Sequence, residues 1–414
     1  MKLLYLCLDR GIPVLGDKGA SVHVRAFTAA AAALGHEVTL ACASTGAGNP
    51  PPPARLIALP PASDPALLEA EAAARGHDPA VLEDPTARRD LAKLAHDRAL
   101  PRQILAALDR AGVRPDLICE RHALFHTAGV AVARALGVRR ILEVNAPLLD
   151  EQRRYRGLAL EAEAAAAEAA SYRGADAVVA VSAAVAAQVR RVLGGAHPPV
   201  AVLQNGVDLD RFRPDTRRAE MRAMLGLGNA PTLGFFGSFK PWHGVGFLAE
   251  VFADIAAARP DARLIAVGEG PEHAAFAARL AADGLSGRAI LPGRVAHHEI
   301  PDWLAATDLT VAPYLPQPDF YFSPLKVVES LAAGRPVVAA ALGGLGQMIV
   351  PGETGQVFTP GDHAACRAAL LDLLDNPERR TAMGRAARAA AAGWGWDRVV
   401  ARALALATPR AAAA

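Results

Sequence analysis

The sequence predicts an α/β protein built from two successive doubly wound parallel sheets, and three observations carry that prediction. The chain has 414 residues, which at roughly 150 residues per domain makes two or three compact units. Short apolar, often β-branched runs alternate with Ala-rich segments of helical period, the pattern of βαβ units. That alternation runs through the chain twice, interrupted once by a turn-forming cluster and a charged stretch.

The first set of predicted strands is Leu3 to Leu8, Val38 to Ala43, Leu56 to Leu59, Leu117 to Cys119, Ile141 to Val144, Ala177 to Val181 and Val200 to Leu203. The second is Leu233 to Phe236, Leu264 to Val267, Ala289 to Leu291, Leu309 to Ala312, Val337 to Ala340 and Val357 to Phe358. Between them Gln204-Asn205-Gly206-Val207-Asp208 and the charged segment Asp210 to Arg218 read as the linker. The expected domains are therefore 1–205 and 206–394, with a helix at about 395–410 packing back on the first. Pro50 to Pro53 is a loop inside the first domain, no fixed-period repeat is present, and Ala411 to Ala414 reads as a frayed tail.

Composition excludes several classes. Hydrophobic residues make up 52%, although 94 of the residues are Ala; the larger apolar residues still suffice for globular cores, which excludes disorder throughout. A net charge of +2 from 44 basic and 42 acidic residues advertises no polyanion, so no nucleic-acid partner is expected. The lysines are only Lys2, Lys18, Lys93, Lys240 and Lys326, against 39 arginines. Cys7, Cys42, Cys119 and Cys366 lie far apart, three of them in apolar runs, and read as buried free thiols of a reducing compartment. The opening apolar stretch runs straight into Asp9-Arg10 and reads as a strand rather than a signal peptide. Glu161, Glu163 and Glu168 interrupt the Ala-rich run Leu158 to Ala170, which excludes a membrane span there. The expectation is a cytoplasmic protein. Peripheral membrane contact is left open, and Arg139-Arg140 and Arg153-Arg154-Tyr155-Arg156 read first as solvated surface.

Doubly wound sheets bind ligands beyond the carboxyl ends of their strands, and the chemistry-bearing residues cluster there. Gly11 to Ser21 is a loop of small residues ahead of a helix-period segment from Val22 to Leu34; a helix start of that kind suits an anion. Gly237-Ser238-Phe239-Lys240-Pro241-Trp242-His243-Gly244 precedes a helix from about Val245 to Ala258 and presents a lysine in a Gly-bounded turn. Gly268-Glu269-Gly270-Pro271 permits close approach of a ligand. In Phe320 to Ser330, Ser323 reads as an N-cap and Pro324 as the first helical residue. The N–H groups near Leu325 and Lys326 would then be free for phosphate. A lysine in a first helical turn opposes the helix dipole and makes sense where an anion sits. Glu329, one turn on, could accept hydrogen bonds from a vicinal diol such as ribose.

These pieces, in this order, resemble the retaining glycosyltransferases of family 4, which have the GT-B fold of two facing Rossmann-like domains with a deep cleft between them. The matching segments are Lys18 to His23, Gly35 to Val38, Gln204 to Asp208, Phe236 to Gly244, Gly268 to Pro271, Leu291 to Val295 and Glu329 to Val338 with Gly343-Gly344. The resemblance implies transfer of a sugar from a UDP- or GDP-sugar donor to an acceptor (small molecule, lipid or glycan) with retention of configuration, no cofactor and no metal. It implies that Gly19 meets the donor diphosphate and that Glu329 holds the ribose. The family's other glutamate, eight positions earlier, is here Tyr321, placed by the donor sugar. The usual basic pair falls on Ser238 and His243, so Lys240 and Lys326 are the expected replacements, with Ser323 and Leu325 beside them. Gly268, Arg294 and Val295 are expected at the base.

For the reacting sugar the resemblance points to the stretch after the fourth strand. Arg121 stands nearest the expected position, His122 has the expected chemistry, and His126 follows; the sequence does not separate them. Glu143 and Asn145 are the expected acceptor contacts. Asp208-Leu209-Asp210 spells a metal-binding Asp-x-Asp but falls in the linker, and is discounted. Two other readings stand beside the transferase: a catalytically silent nucleotide-sugar-binding protein, motivated by Ser238, His243 and Tyr321, and an NDP-sugar epimerase of the same fold.

Overall fold

The computed structural model describes residues 1–60, 65–195, 197–214, 217–317 and 320–407; the tail Ala411 to Ala414 lies outside them. The chain forms two compact units, one of Met1–Gln204 with the segment from Trp396 onward, the other of Asn205–Gly395.

Unit 1 runs β1 (Lys2–Cys7), α1 (Gly19–Ala33), β2 (Glu37–Cys42), β3 (Arg55–Ala58), α2 (Pro65–Ala74), α3 (Pro85–Arg110), β4 (Leu117–Arg121), α4 (Ala128–Leu136), β5 (Arg139–Val144), α5 (Leu148–Tyr155), α6 (Glu161–Arg173), β6 (Ala177–Ala180), α7 (Ala183–Leu193) and β7 (Val200–Val202). Unit 2 runs α8 (Arg218–Met224), β8 (Thr232–Phe236), α9 (Val245–Ala258), β9 (Arg263–Val267), α10 (His273–Ala282), β10 (Ala289–Gly293), α11 (Ile300–Ala306), β11 (Leu309–Ala312), α12 (Leu325–Ala332), β12 (Val337–Ala340), α13 (Leu345–Met348), β13 (Gly355–Phe358), α14 (His363–Asp375) and α15 (Pro377–Ala391). The last helix, α16 (Trp396–Ala405), belongs to unit 1 and packs on α1. Trp396 sets its ring edge-on to His23 at 5.0 Å between centroids.

Both sheets are parallel, ordered β3-β2-β1-β4-β5-β6-β7 and β10-β9-β8-β11-β12-β13. Helices cover both faces of such a sheet, so its strands read as unbroken apolar runs rather than alternating ones. In β1 every residue from Leu3 to Cys7 is buried, and in β8 every residue is. Each of the thirteen predicted strands is present, displaced by no more than two residues at either end.

Several polar groups inside unit 1 are buried in pairs. Arg140 and Glu120 are fully buried, with Nε of Arg140 2.6 Å from the Glu120 carboxylate and its other nitrogens donating to Ser171 O and Oγ. Residue 129 is Gly because a Cβ there would lie 1.6 Å from Glu120 Oε2. Arg139 donates to the Ala407 carbonyl. Arg140 is thus an interior joint, correcting its reading as solvated surface, whereas Arg139 is exposed. On α3, Asp90 and Asp97 are two turns apart and share a face. Asp97 accepts from the N–H groups of Thr127 and Ala128 at the start of α4, and Asp90 from that of Ala159 just ahead of α6. One long helix thereby caps two others, replacing the local caps these lack.

Removing one partner of a buried ion pair strands the other charge, at a cost of about 3–5 kcal/mol, whereas an apolar pair of similar volume is often neutral. Glu120→Ala should therefore lower the urea midpoint of unit 1 strongly, and the double variant Glu120→Leu/Arg140→Met should recover most of the loss. Equal loss in both, read by circular dichroism, would show that space rather than charge is at stake.

Candidate functional site

In unit 2 the strand order reverses between β8 and β11, so the loops leaving their carboxyl ends part and open a crevice. Glycines let these loops come close. A Cβ on Gly244 would sit 1.8 Å from the Pro313 carbonyl oxygen, and one on Gly268, at φ +137, 1.9 Å from that of Gly237. Lys326, in the first turn of α12, projects into this place. Its Nζ stands 4.8 Å from the Phe235 ring centroid and 4.6 Å from that of Tyr314, is buried, and has no hydrogen-bond partner. The residue as a whole is only half-buried; its charged end is covered. Burial lowers the ammonium pKa to about 7, and the two ring faces offset part of that cost. The first intrahelical bond of this turn runs from Val327 N to Pro324 O, which leaves the N–H groups of Leu325 and Lys326 at the helix start without an intrahelical acceptor.

The neighbouring predicted residues take distinct roles. Lys240 is exposed, its ammonium 5.0 Å from the Trp242 ring centroid. His243 donates from Nδ1 to the carbonyl of Ser238, with Ser238 Oγ 3.3 Å from the same nitrogen. Burial, then Lys326, pulls its pKa down to about 3. His243 is therefore a neutral brace in the ligand-free protein, its Nδ1 hydrogen already used. Ser323 is not the N-cap. That position is Pro324, and Ser323 Oγ accepts instead from Asn205 N, while its carbonyl accepts from Asn205 Nδ2. Glu329 is buried on α12 with Oε1 2.7 Å from His297 Nε2, a partner that sequence reading missed although His297-His298 stands just after a predicted strand. The Tyr321 ring packs on Phe322 at 4.3 Å. Gly268 donates its N–H to the Gly293 carbonyl, joining the ends of β9 and β10; Arg294 lies exposed, 3.6 Å from the Glu269 carboxylate, and Val295 packs against the core.

In unit 1 the order reverses between β1 and β4. Gly19 opens α1, exposed, behind a Lys18 that caps nothing and donates from Nζ to the Gly11 carbonyl. Arg25 donates to the carbonyls of Val14 and Gly16, so the loop ahead of α1 is braced. Arg121 and His122, adjacent in sequence, point to opposite faces. Arg121 closes β4 beside Glu143 with Nη1 buried and unpartnered. His122 turns inward, 3.6 Å from Glu168 and packed on Tyr172, both buried on α6. Both of its ring nitrogens are buried without a hydrogen-bond partner. His126 is buried, with Nδ1 donating to the Leu124 carbonyl and Nε2 unpartnered, 5.9 Å between centroids from His96. Phe125, just before it, holds φ +74, a left-handed conformation costly for a bulky residue.

Glu143, expected at the acceptor, is buried and held by its neighbours. Its carboxylate accepts from Tyr5 OH and meets His23 Nε2 at 3.1 Å. Burial raises its pKa, but His23, Tyr5 and Arg121 together outweigh that and hold it below the ordinary value. It fastens β1, α1 and β5. Asn145, two residues on, keeps a buried, unpartnered Nδ2 just past the end of β5. Asp208 Oδ1 accepts from the N–H groups of Asp210 and Arg211, so the Asp-x-Asp spelling is a turn. Among the described residues no group of three or more His, Cys, Asp or Glu could hold a metal ion, and no helix is long and apolar enough to cross a membrane.

The Lys326 site carries a pH signature. Its pKa is lowered in the folded state, so the unfolded chain binds the extra proton between pH 7 and about 10.5, and stability rises with pH across that window. Lys326→Met should raise the thermal midpoint of the ligand-free protein at pH 6 to 7, with the gain shrinking toward pH 10. A constant difference across this range, read by calorimetry, would exclude the buried-ammonium description.

A seat for an anion at the switch point of a doubly wound sheet is where nucleotides bind in folds of this class. Residues 18–211 match the model of Glycosyltransferase Family 4 and residues 230–376 that of Glycosyl transferases group 1. A D-inositol 3-phosphate glycosyltransferase of Catenulispora acidiphila is 34% identical over 328 residues, covering 74% of this chain and 76% of that one. The enzyme of the same name from Streptomyces scabiei is 34% identical over 235 residues, 54% of this chain and 52% of that one; the chain thus spans about half the length of this second relative. The sucrose-phosphate synthase of Thermosynechococcus elongatus superposes with a TM-score of 0.70 at 21% identity over 97% of both chains. The chain belongs to glycosyltransferase family 4, and its fold is GT-B-like, with two Rossmann-like units.

Proposed function

We propose that the chain is a metal-independent, retaining glycosyltransferase of the cytoplasm that takes the sugar of a UDP- or GDP-sugar to an acceptor. The observation that supports this reading most is the buried, unpartnered ammonium of Lys326 beside the open first turn of α12. A leaving diphosphate gains negative charge as the sugar gains oxocarbenium character, so stabilising that charge is the main electrostatic task. Lys326, the N–H groups of Leu325 and Lys326, and the exposed Lys240 supply the positive potential a divalent cation would otherwise bring. The uncapped start of α1 at Gly19 offers a further N–H donor. Charge-assisted hydrogen bonds contribute about 1.5–3 kcal/mol each. Glu329, oriented by His297, accepts from the ribose hydroxyls; Gly268, Arg294 and Val295 flank the base, and Tyr321 the sugar. On unit 1, Arg121, Asn145 and the free Nε2 of His126 are the groups left for the reacting sugar and the acceptor. The named activity of two relatives toward D-inositol 3-phosphate makes a phosphorylated polyol the first acceptor to try.

A silent nucleotide-sugar-binding protein is the second reading, favoured by the neutral state of His243. Incubation with a panel of NDP-sugars separates the two: turnover to free nucleotide, faster with inositol 3-phosphate or another acceptor, supports the transferase, and binding without turnover supports the second. Conversion of the sugar itself would point to an epimerase.

Diphosphate binding favours protonated Lys326. Above its free pKa of about 7 the proton must be taken up on binding, so affinity for UDP or GDP should fall from pH 7 to pH 9, by up to about tenfold per unit. Titration calorimetry in buffers of different ionisation enthalpy should register uptake at pH 8, and Lys326→Met should abolish it. Lys240→Ala should weaken binding less than Lys326→Ala, because exposed charges are screened, and Glu329→Ala should penalise ribonucleotides more than 2′,3′-dideoxy analogues.

A further inference from the structure

At the opposite edge of the unit 2 sheet, where β8, β11 and β12 begin, one carboxylate faces three guanidinium groups. Asp308 lies 2.7 Å from Arg218, 3.7 Å from Arg222 and 3.7 Å from Arg380. Its Oδ2 also accepts from the Thr232 N–H, so its acceptor capacity is spread thin. Burial, together with the crowding of like charges, holds the Arg222 and Arg380 pKa values below the ordinary arginine value. A cavity of about 390 Å³ opens here, lined by Arg218, Arg335, Arg380, Arg385, Arg388 and Asp308. Among its described lining residues Asp308 is the only carboxylate, so the wall carries four positive charges in excess, five Arg against one Asp.

The guanidinium groups are fixed. Arg218 donates to the carbonyls of Ala305 and Thr307, Arg380 to those of Leu373 and Leu374, and Arg388 to those of Leu209, Phe212 and Ala332. Each has five N–H donors in a rigid plane, so donors remain after these bonds, and holding the planes in advance lowers the entropy cost of capturing an oxyanion. Converging, preset arginines with one shared counter-ion are poorly matched to water and well matched to a dianion with several acceptor oxygens.

We propose that this arginine-lined cavity of unit 2 is a second anion site, separate from the loops at the carboxyl ends of the strands, and that it takes the phosphate dianion of a small phosphorylated compound or inorganic phosphate itself. The volume accommodates a phosphomonoester on a carbon skeleton of sugar size. The inference does not rest on the donor reading, because none of its residues belongs to the Lys326 loops.

Binding of inorganic phosphate to the full chain is the direct measurement, by titration calorimetry at constant ionic strength, with glycerol 3-phosphate and chloride as parallel probes. Two variants assign the signal. Lys326→Met removes the ammonium of the other site. Arg385→Glu reverses an exposed charge on the cavity wall with no interior packing to disturb. The expected result is saturable phosphate binding that persists in Lys326→Met and weakens at least tenfold in Arg385→Glu, with both folding as wild type by circular dichroism. Tighter binding of glycerol 3-phosphate than of phosphate identifies the ester as the natural form, and the reverse identifies the free ion. Loss in Lys326→Met with full retention in Arg385→Glu, or heats no larger than those with chloride, would overturn the proposal.

Discussion

A parallel sheet covered on both faces leaves its strands no exposed side, and this constraint governs where polar chemistry can stand in both units. Unbonded charge is costly beneath the helices, and the main buried charges there are tied. Arg140 spends its donors on Glu120 and Ser171, and Glu143 is held by His23 and Tyr5. The open ends of the strands are among the places where unspent donors remain. Arg121, Asn145 and Lys326 each close a strand or follow one, and each keeps a buried donor nitrogen without a partner.

The strands were legible because burial on two faces writes an unbroken apolar run into the sequence, and none of the thirteen depended on fine boundaries. The site was legible only in part. Lys326 could be singled out because a cation in a first helical turn contradicts local helix preference. Which way a side chain at a strand end turns is set by the pleat: Arg121 and His122 are neighbours in sequence yet face opposite ways, and no local pattern distinguishes them. The partners of Glu143 were hidden for the related reason that a carboxylate just short of a strand end looks available until the helix above it is placed. His297 reaches Glu329 across 32 positions. The Ser323 hydroxyl, similarly, is drawn from the capping position its neighbours suggest to an amide 118 positions away. Tertiary partners decided each of these, and a single sequence does not print them.

The caps show the same transfer of work from local to distant partners. Helices α4 and α6 begin without side-chain caps of their own, and α3 supplies both from Asp90 and Asp97. A cap delivered from another helix fixes where that helix starts relative to its neighbour, which a local Ser or Asn does not do. In unit 1 the start of α4 follows directly on His126 and the strained Phe125. The cap therefore holds one end of a segment whose backbone would otherwise relax, and the strain is sustained by a bond on an independent element.

The excess of arginine over lysine follows from what each cation can do. The buried or half-buried arginines of this chain act as multi-donor joints: Arg140 joins β5 to Glu120 and Ser171, Arg222 binds three carbonyls, and Arg388 binds three others. A lysine has one nitrogen on a flexible stem and could not span such separated acceptors. At residue 326 the demand is the reverse. The donor site proposed above asks this group to carry a charge when an anion is present and to tolerate burial when none is, and a group able to shed its proton near neutrality does both. A guanidinium, whose pKa lies far above that range, would stay charged against Phe235 and Tyr314 throughout the ligand-free state. The one lysine so deeply set among 39 arginines is thus the position where titration, rather than geometry, is selected.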